Sequence, residues 1–338
     1  MILSIIIAYY NAEDYIVNLL DSLMDQGFQE DEYEIIVVDD ESTHCVQRLK
    51  DYCESHSNVH YVWQKNARQS IARNNGIARA NGEFLYVCDN DDIVNRQVLK
   101  QICNIAHDNS LDILFFNRLL IPEGAEAPPA QRDFSSLEPI QTGQQYIANH
   151  PKTSTGPWHY IIRREFVNKN HLKFPEGIII CEDVDFMIDA CVKAQRVSYI
   201  NVDVYYWVQH PQSISHYAGM VSMTERFLND MLWYVEKRKM MLNRPNDLLP
   251  SFAKWIDLNI NRHAYRILST SLKYLGYKKN LEMVKRLKRL GLYPVSKTEY
   301  EESPKVHFFK SLMNMKPIWV VCCRLYTLVP QKIRIKYL

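Results

Sequence analysis

The residues best suited to chemistry are carboxylates that follow two short apolar runs. The run over residues 34–38 ends in Asp39-Asp40, and the run over residues 84–88 ends in Asp89-Asn90-Asp91-Asp92. Carboxylates one residue apart at the end of a strand can share one hard divalent cation, and that cation can bind a diphosphate. In the alternative interpretation, Asp92 caps the following helix and the other carboxylates are solvated. Spacing alone leaves both interpretations open.

Alternating strand and helix patterns in the first half of the chain would position these carboxylates. Apolar runs occur at residues 3–8, 34–38, 59–63, 84–88 and 112–116, and helical patterns occur at about 70–80 and 97–107. A further helix after the first run would have Asn11 as its N-cap. Continuous apolar strands separated by helices predict a parallel sheet covered on both faces. Such sheets bind ligands at the carboxyl ends of their strands.

Length and composition exclude several classes of protein. The 338 residues are 47% hydrophobic and 23% charged, which predicts a folded chain of about two structural units. The absence of GxGxxG after the first strand argues against a dinucleotide dehydrogenase, and the absence of GxxxxGK(S/T) excludes a P-loop protein. No run reaches the ~18 apolar residues of a membrane span, and a secretory signal is not expected. The eight cysteines form no CxxC pair, which is typical of buried or free thiols in a reducing compartment.

Several short motifs occur in a fixed order between residues 2 and 216. In one-letter code they are SIIIAYYNAE at 4–13, EIIVVDDEST at 34–43, ARNNGIA at 72–78, GEFL at 82–85, DNDD at 89–92, GPW at 156–158, FPEG at 174–177, CED at 181–183, YYW at 205–207 and SIS at 213–215. Together they resemble family 2 glycosyltransferases with the GT-A fold, of the type that builds bacterial surface polysaccharides. Ordered motifs at the family's spacing are far more specific than any one of them alone.

The resemblance implies an α/β fold of the GT-A type, with a Rossmann-like, mostly parallel central sheet and helices on both faces. This domain would occupy residues 1–216. A helical C-terminal region would follow at 217–303, and a basic amphipathic tail at 304–338. Within the helical region, periodic apolar residues predict helices at 224–242 and 281–290, the second capped by Asn280 and Gly291.

The resemblance also implies roles for residues at matching positions. Asp183 would be the general base. The residues that bind a nucleotide-sugar donor would be Ala8, Tyr9, Asp40, Arg73, Asp89 and Asn90. Among them, Asp40 would accept a hydrogen bond from the base, usually uracil. The ligands of Mn²⁺ or Mg²⁺ would be Asp89, Asp91 and His210. The acceptor would contact Trp158 and Glu182.

Four of these assignments have a structural alternative. Asp183 also fits an ordinary acidic residue in the first turn of a helix. Trp158 fits a core residue as well as a flat surface for an acceptor sugar. His210 fits a structural histidine, and Arg73 fits a solvated helix residue as well as a phosphate contact. The motif match favours the functional role for Asp183.

The implied reaction is an inverting transfer of one sugar from a nucleotide-sugar, usually a UDP-sugar. Asp183 would deprotonate the acceptor hydroxyl, and the metal would neutralise charge on the departing diphosphate. The QxxRW motif of processive synthases is absent, which favours transfer of one sugar per encounter. The sequence departs from the family pattern at Ala8, Ala67-Arg68 and Val208, where proline, glycines and arginine are common. These departures concern donor specificity and diphosphate contacts more than the fold.

Two other functions fit parts of the sequence. A catalytically inactive protein that binds a sugar or nucleotide would share the same motifs. A receiver-like signalling module also has acidic residues at strand ends. Its acidic pair follows the first strand, however, whereas Asp39-Asp40 follows the second, and this chain is much longer than such a module. Release of UDP from UDP-sugars would separate an enzyme from both.

The C-terminal part of the chain is strongly basic. Residues 262–338 contain 17 Lys+Arg and 4 Asp+Glu, a net charge of +13, while the rest of the chain has a net charge of −12. The apolar run at 318–329 would reach about 18 Å as a helix, short of the ~30 Å hydrocarbon core. Because cations flank this run, we expect a membrane-surface anchor, with the protein cytoplasmic and peripheral on the inner face of the cell membrane.

The predicted anchor fits the predicted acceptor, which would be a glycan or a lipid-linked glycan at that surface. The alternative is a terminal helix whose apolar side packs on the helical region. Nucleic acid is not expected as a partner, because the aromatic residues of the tail lie in the apolar run rather than among the arginines.

Overall fold

The computed structural model describes residues 1–125, 128, 130–210, 221–245, 247–296 and 304–328. They belong to two compact units, Met1–His210 and Pro211–Leu338. The predicted domain ends at residues 216 and 303 and the SIS motif at 213–215 lie outside the described residues. These two predicted domain boundaries therefore stay predictions.

The N-terminal unit is built on one eight-stranded sheet. Its strands are β1 (Leu3–Tyr9), β2 (Tyr33–Asp39), β3 (Val59–Trp63), β4 (Phe84–Asp89), β5 (Ile93–Val94), β6 (Ile113–Pro122), β7 (Tyr160–Arg163) and β8 (Val197–Gln209). Its helices are α1 (Glu13–Met24), α2 (Gln47–Ser55), α3 (Gln69–Arg79), α4 (Leu99–Asp108), α5 (Gly143–Asn149), α6 (Arg164–Lys169) and α7 (Glu182–Lys193), with a 3₁₀ turn at Pro157–His159. The strand order is β3-β2-β1-β4-β7-β6-β8-β5.

Most of the sheet is parallel, as predicted. Strand β1 pairs in parallel with β2 and β4, β2 pairs in parallel with β3, and β6 pairs in parallel with β8. Strands β7 and β5 are antiparallel to their neighbours. The sequence did not indicate these two strands, because runs of four and two residues are too short to show a hydrophobic period.

The apolar side chains on both faces of the central strands are buried. Ile5, Ile6 and Ile7 of β1 are fully buried, as expected for a parallel strand with helices on both sides. Gly76 lets α3 approach this strand closely, since a Cβ atom there would lie 2.5 Å from Ile6 Cγ2. Arg73 lies three residues earlier on the same helix and is therefore held against the sheet.

The predicted cap of the first helix is wrong. Helix α1 begins at Glu13, and Asn11 has a φ of 52°, outside the right-handed helical region. The Asn11 side chain instead accepts hydrogen bonds from the backbone N–H groups of Thr43 and His44, at 2.9 and 3.0 Å. Asn11 therefore ties the loop after β1 to the loop after β2, at the carboxyl edge of the sheet.

The described part of the C-terminal unit is helical, as predicted. Its helices are α8 (Val221–Asn243), α9 (Pro250–Thr270), α10 (Tyr277–Arg289), α11 (Pro304–Asn314) and α12 (Lys316–Leu328), with a π-helical turn at Ser271–Leu275. Gly291 follows α10 with a φ of 72°, which suits a glycine at a helix end. Among the helices that the structure describes in both units, none is long and apolar enough to cross a membrane.

Asn280 is not the cap that the sequence predicted. It lies inside α10 and is fully buried. Its Nδ2 donates to Leu268 O at 2.7 Å, and its Oδ1 accepts from Trp319 Nε1 at 3.0 Å. One buried amide thus links α9, α10 and α12, and its burial is stable because its donor and acceptor groups have partners.

Candidate active site

The acidic segment after β4 meets the end of β8. Asp91 Oδ2 lies 2.8 Å from His210 Nε2, although the two residues are 119 positions apart in the sequence. Both follow strands that run in the same direction, so they reach the same edge of the sheet. His210 is 4% exposed, and its ring lies 4.7 Å from the ring of Tyr15 on α1. The structure therefore brings together two of the three predicted metal ligands.

Arg73 joins the third predicted ligand to the start of α7. Its Nη2 donates to Asp89 Oδ1 at 2.8 Å, and its Nη1 donates to Glu182 Oε1 at 3.0 Å. The guanidinium is buried, with its carbon 5.2 Å from the centre of the Phe174 ring. The two carboxylates hold the pKa of Arg73 above its usual range, although burial opposes the shift. The alternative of a solvated helix residue is therefore wrong for Arg73.

Asp183, the predicted base, follows Glu182 in the first turn of α7. Its Oδ1 accepts from the N–H group of Val184 at 2.7 Å, and Thr155 Oγ1 lies 3.5 Å from its Oδ2. Burial raises the pKa of the Asp183 carboxyl. Burial also raises the pKa of Glu182, with Asp183 adding to the shift and Arg73 opposing it. A carboxyl with a raised pKa is a better proton acceptor than an ordinary aspartate.

The backbone before α7 has an unusual conformation. Cys181 has a φ of 70°, in the left-handed region, and precedes Glu182 directly. Residues other than glycine rarely adopt this conformation, and such residues cluster at functional sites. Acidic side chains in the first turn interact favourably with the positive end of the helix dipole. Asp183 therefore lies where the helix dipole favours a negative charge, in the first turn of α7.

Asp40 organises the loop that leads into α3. Its carboxylate accepts hydrogen bonds from the backbone N–H groups of Ala67 and Arg68, at 2.8 and 2.7 Å, and from Gln64 Nε2 at 2.8 Å. Arg68 has a φ of 75°, a conformation that glycine adopts without strain. The loop thus keeps a glycine-like backbone at a position where the sequence has arginine. Recognition of a nucleotide base by Asp40 stays a prediction.

The end of β1 is tied to the acidic segment through its backbone. Asn90 Nδ2 donates to Ala8 O at 3.1 Å. The ring of Tyr9 is buried in the core, and its hydroxyl donates to Glu13 Oε2 at 3.1 Å. The side chain of Tyr9 therefore faces the core, and a contact between a donor and Ala8 or Tyr9 stays a prediction. Tyr10, directly after β1, is 47% exposed.

Trp158 packs in the core in this structure. It is 8% exposed and stacks on Tyr205 at 4.9 Å with the rings 5° from parallel. The guanidinium of Arg118 lies 5.1 Å from the centre of the Trp158 ring. Gly156 allows the indole to lie against the backbone, since a Cβ atom there would be 2.4 Å from Trp158 Cε2. A contact between Trp158 and an acceptor stays a prediction.

In the acidic segment, the alternative interpretation of Asp92 as a helix cap is wrong. Asp92 does not cap a helix, because α4 begins at Leu99 with Val98 at its N-cap. Its buried carboxylate accepts from the hydroxyl of Tyr205 and from the N–H group of Val208, the latter at 2.7 Å. Burial, with Asp89 and Asp91 adding to the effect, raises the pKa of Asp92 to about 8. Asp92 therefore fastens the end of β8, two residues before His210, to the segment that carries Asp91.

The donor atoms of Asp91 and His210 are of the types that bind a divalent cation. A carboxylate oxygen and an imidazole nitrogen lie side by side, and His210 Nδ1 is buried with no hydrogen-bond partner among the described residues. Burial and the neighbouring Asp89 raise the pKa of Asp91. Among the described residues, no cluster of three His, Cys, Asp or Glu side chains forms a complete metal site. Two protein ligands are compatible with Mg²⁺ or Mn²⁺ when substrate phosphates complete the coordination.

Comparison with known proteins agrees with the fold and with the motifs. The family described as Glycosyl transferase family 2 matches residues 4–172. The uncharacterised glycosyltransferase EpsJ of Bacillus subtilis is 28% identical over 228 residues, which is 66% of each chain. The poly(ribitol-phosphate) beta-N-acetylglucosaminyltransferase TarS of Staphylococcus aureus is 28% identical over 206 residues, 60% of this chain and 35% of TarS. The match thus spans less than two thirds of either relative.

A solved structure shares the fold. The crystal structure of S. aureus TarS 1–349 in complex with UDP-GlcNAc superposes with a TM-score of 0.64 and 23% identity, over 86% of this chain and 81% of that one. The predicted GT-A fold class is therefore confirmed. The alternative of a receiver-like signalling module is wrong, because the matched family and the fold both differ from it.

Proposed function

The chain belongs to glycosyl transferase family 2, and we propose that it transfers one sugar from a UDP-sugar to a hydroxyl of a glycan or lipid-linked glycan, with inversion. The observation that carries the proposal is the Arg73 bridge, which joins the Asp89 carboxylate at the end of β4 to the start of α7, where Asp183 lies. The UDP-GlcNAc bound in the TarS structure and the poly(ribitol-phosphate) in the name of TarS support the choice of substrates.

Asp183 is the general base of the proposed reaction. It takes the proton of the acceptor hydroxyl as the oxygen attacks the anomeric carbon, and UDP leaves from the opposite side. A single displacement of this kind inverts the anomeric configuration. The raised pKa of Asp183 supports the assignment, because a general base is most effective when its pKa approaches the working pH.

Asp91 and His210 would hold the Mn²⁺ or Mg²⁺, with Asp89 as the third candidate ligand. When bound, such a cation supplies positive charge that stabilises the departing diphosphate. Asp89 Oδ1 accepts a hydrogen bond from Arg73, and the side chain of Asp89 is 35% exposed. Arg73 thus orients Asp89 rather than serving as a freely solvated phosphate contact.

The remaining site residues are assigned by their place at the same edge of the sheet. The donor would lie against the backbone of Ala8 and Tyr9 and near Asp40 and Asn90. The acceptor would approach from the side of Glu182 and Trp158. For the whole protein we propose a cytoplasmic, peripheral location at the inner face of the membrane, since a lipid-linked acceptor would be presented there.

The test is UDP release from a panel of UDP-sugars with Mn²⁺ and candidate acceptors, comparing the wild type with Asp183→Asn. We expect the substitution to leave UDP binding intact and to lower turnover by a factor of roughly 100 or more, as loss of a general base does. Asp14→Asn is the matched control, because Asp14 is an exposed acidic residue in the first turn of α1. It should retain wild-type turnover.

The pH profile gives a second readout. A base must be unprotonated to act, so turnover of the wild type should fall as the pH drops through the raised pKa of Asp183. This acidic limb should disappear in Asp183→Asn. Full turnover of Asp183→Asn would refute the base assignment, and absence of UDP release with every donor would favour an inactive binding protein.

A further inference from the structure

Helix α12 (Lys316–Leu328) has one face that is docked within the C-terminal unit. Trp319 is 2% exposed and Cys323 is fully buried. The indole N–H of Trp319 donates to Asn280 Oδ1 at 3.0 Å, and Cys323 Sγ lies 3.7 Å from the same oxygen. These two side chains are four residues apart, so they share one side of the helix. The helix is therefore fixed on α10 by a specific polar contact as well as by apolar packing.

The opposite face of α12 is apolar and exposed. Ile318, Val321, Leu325 and Leu328 are 48%, 55%, 60% and 80% exposed. At about 100° per residue these four positions fall within an arc of about 80°, on the side away from Trp319 and Cys323. Four large apolar side chains in one stripe are unlike the scattered exposed apolar residues of an ordinary surface.

The stripe lies in a strongly basic part of the chain. Residues 262–338 carry a net charge of +13, from 17 basic and 4 acidic residues. Arg324 is exposed on α12 itself, and Lys285, Lys288 and Arg289 are exposed on α10. An apolar stripe within a strongly basic region complements an anionic lipid surface, which offers both a medium for apolar burial and opposite charge.

We propose that α12 binds an anionic membrane surface through Ile318, Val321, Leu325 and Leu328 while its other face stays docked through Trp319. This proposal rests on the membrane location proposed above and names the side chains that insert. The helix is about 20 Å long, too short to cross the ~30 Å hydrocarbon core, so it lies along the interface. A stripe of this length and one helix wide covers on the order of 200 Å², well below the ~800 Å² per partner of a stable protein interface.

The experiment is flotation of the full chain with vesicles of phosphatidylglycerol or of phosphatidylcholine alone. The test variant is Val321→Glu/Leu325→Glu, which changes exposed positions only. We expect the wild type to float with the anionic vesicles and the variant to partition about 100-fold less, because two apolar side chains no longer insert. Val321→Ser/Leu325→Ser removes the apolar groups without adding charge and should show a smaller loss.

Met240→Glu is the matched control, since Met240 is a 54% exposed apolar residue on α8 of the same unit. It should float as the wild type does. Equal flotation of wild type and both double variants, or no flotation of the wild type, would overturn the proposal. So would a wild-type dimer, seen by light scattering, that dissociates in the glutamate variant. UDP release measured on the same preparations with a water-soluble acceptor reports the proposed enzyme function separately.

Discussion

Two arginines, one in each unit, make ion pairs that look alike in distance and differ in environment. Arg73 lies 3.0 Å from Glu182, and its side chain is 4% exposed. Arg286 lies 3.3 Å from Glu236, and its side chain is 35% exposed. The first pair is closed off from water beside the candidate catalytic residues, whereas the second lies on the surface of the helical unit.

The difference lies in what each pair loses when one partner is removed. In the exposed pair, water can solvate the remaining charge, so such pairs contribute little to stability. In the buried network, the loss of Arg73 would leave the buried carboxylate of Glu182 without its cation, which is strongly unfavourable. Distance alone is therefore a poor guide to the energy of an ion pair, and burial decides.

The largest effect is expected for Arg73→Met. Removal of one partner of a buried charge network costs about 3–5 kcal/mol, and the loss should appear in the free energy of unfolding in urea. Arg79→Met is the matched control, because Arg79 is an exposed residue of the same helix, α3. It should change stability by less than about 0.5 kcal/mol. Equal effects of the two substitutions would mean that burial does not distinguish these arginines.

An intermediate effect is expected for Asn280→Ala. This substitution tests whether the loss of a buried polar partner also lowers stability in the helical unit. The substitution leaves Trp319 Nε1 buried without its partner and removes one of the donors to Leu268 O, which keeps its hydrogen bond from Ser271 Oγ. A buried polar group without a partner costs about 1–3 kcal/mol, so we expect a lower thermal midpoint for the C-terminal unit. Asn229→Ala, at an exposed position of α8, is the control and should be close to neutral. A neutral Asn280→Ala would contradict the linking role of this amide.

The smallest effect is expected for the exposed pair. A double-mutant cycle with Arg286→Ala and Glu236→Ala should give a coupling energy of about 0–1 kcal/mol, and added salt should reduce it further. The measurement is the urea unfolding of the wild type, the two single variants and the double variant. A coupling energy above about 2 kcal/mol would remove the contrast with Arg73.

Hydrophobic patterns predicted the mostly parallel sheet and the C-terminal helices, and both are confirmed. They succeeded because the apolar period is a local property of each segment. Predictions about individual polar residues were less reliable. Asn11 and Asn280 were both predicted as helix caps, and both instead bind backbone or side-chain groups of distant segments. The hydrogen-bond partner of a polar side chain is often brought to it by folding from a distant segment, so the local sequence does not reveal that partner.

The sequence by itself determined the alternation of strands and helices up to about residue 116, the acidic segments at strand ends and the resemblance to one enzyme family. Only the tertiary structure decided that Arg73 is buried between two carboxylates, that Asp92 fastens the end of β8, and that α12 has one docked and one exposed face. The physical reason is that solvation and pairing depend on neighbours from remote parts of the chain. The spacing of apolar residues can be read within one segment of the sequence, whereas the solvation and hydrogen-bond partners of a charged group arise only when the chain folds.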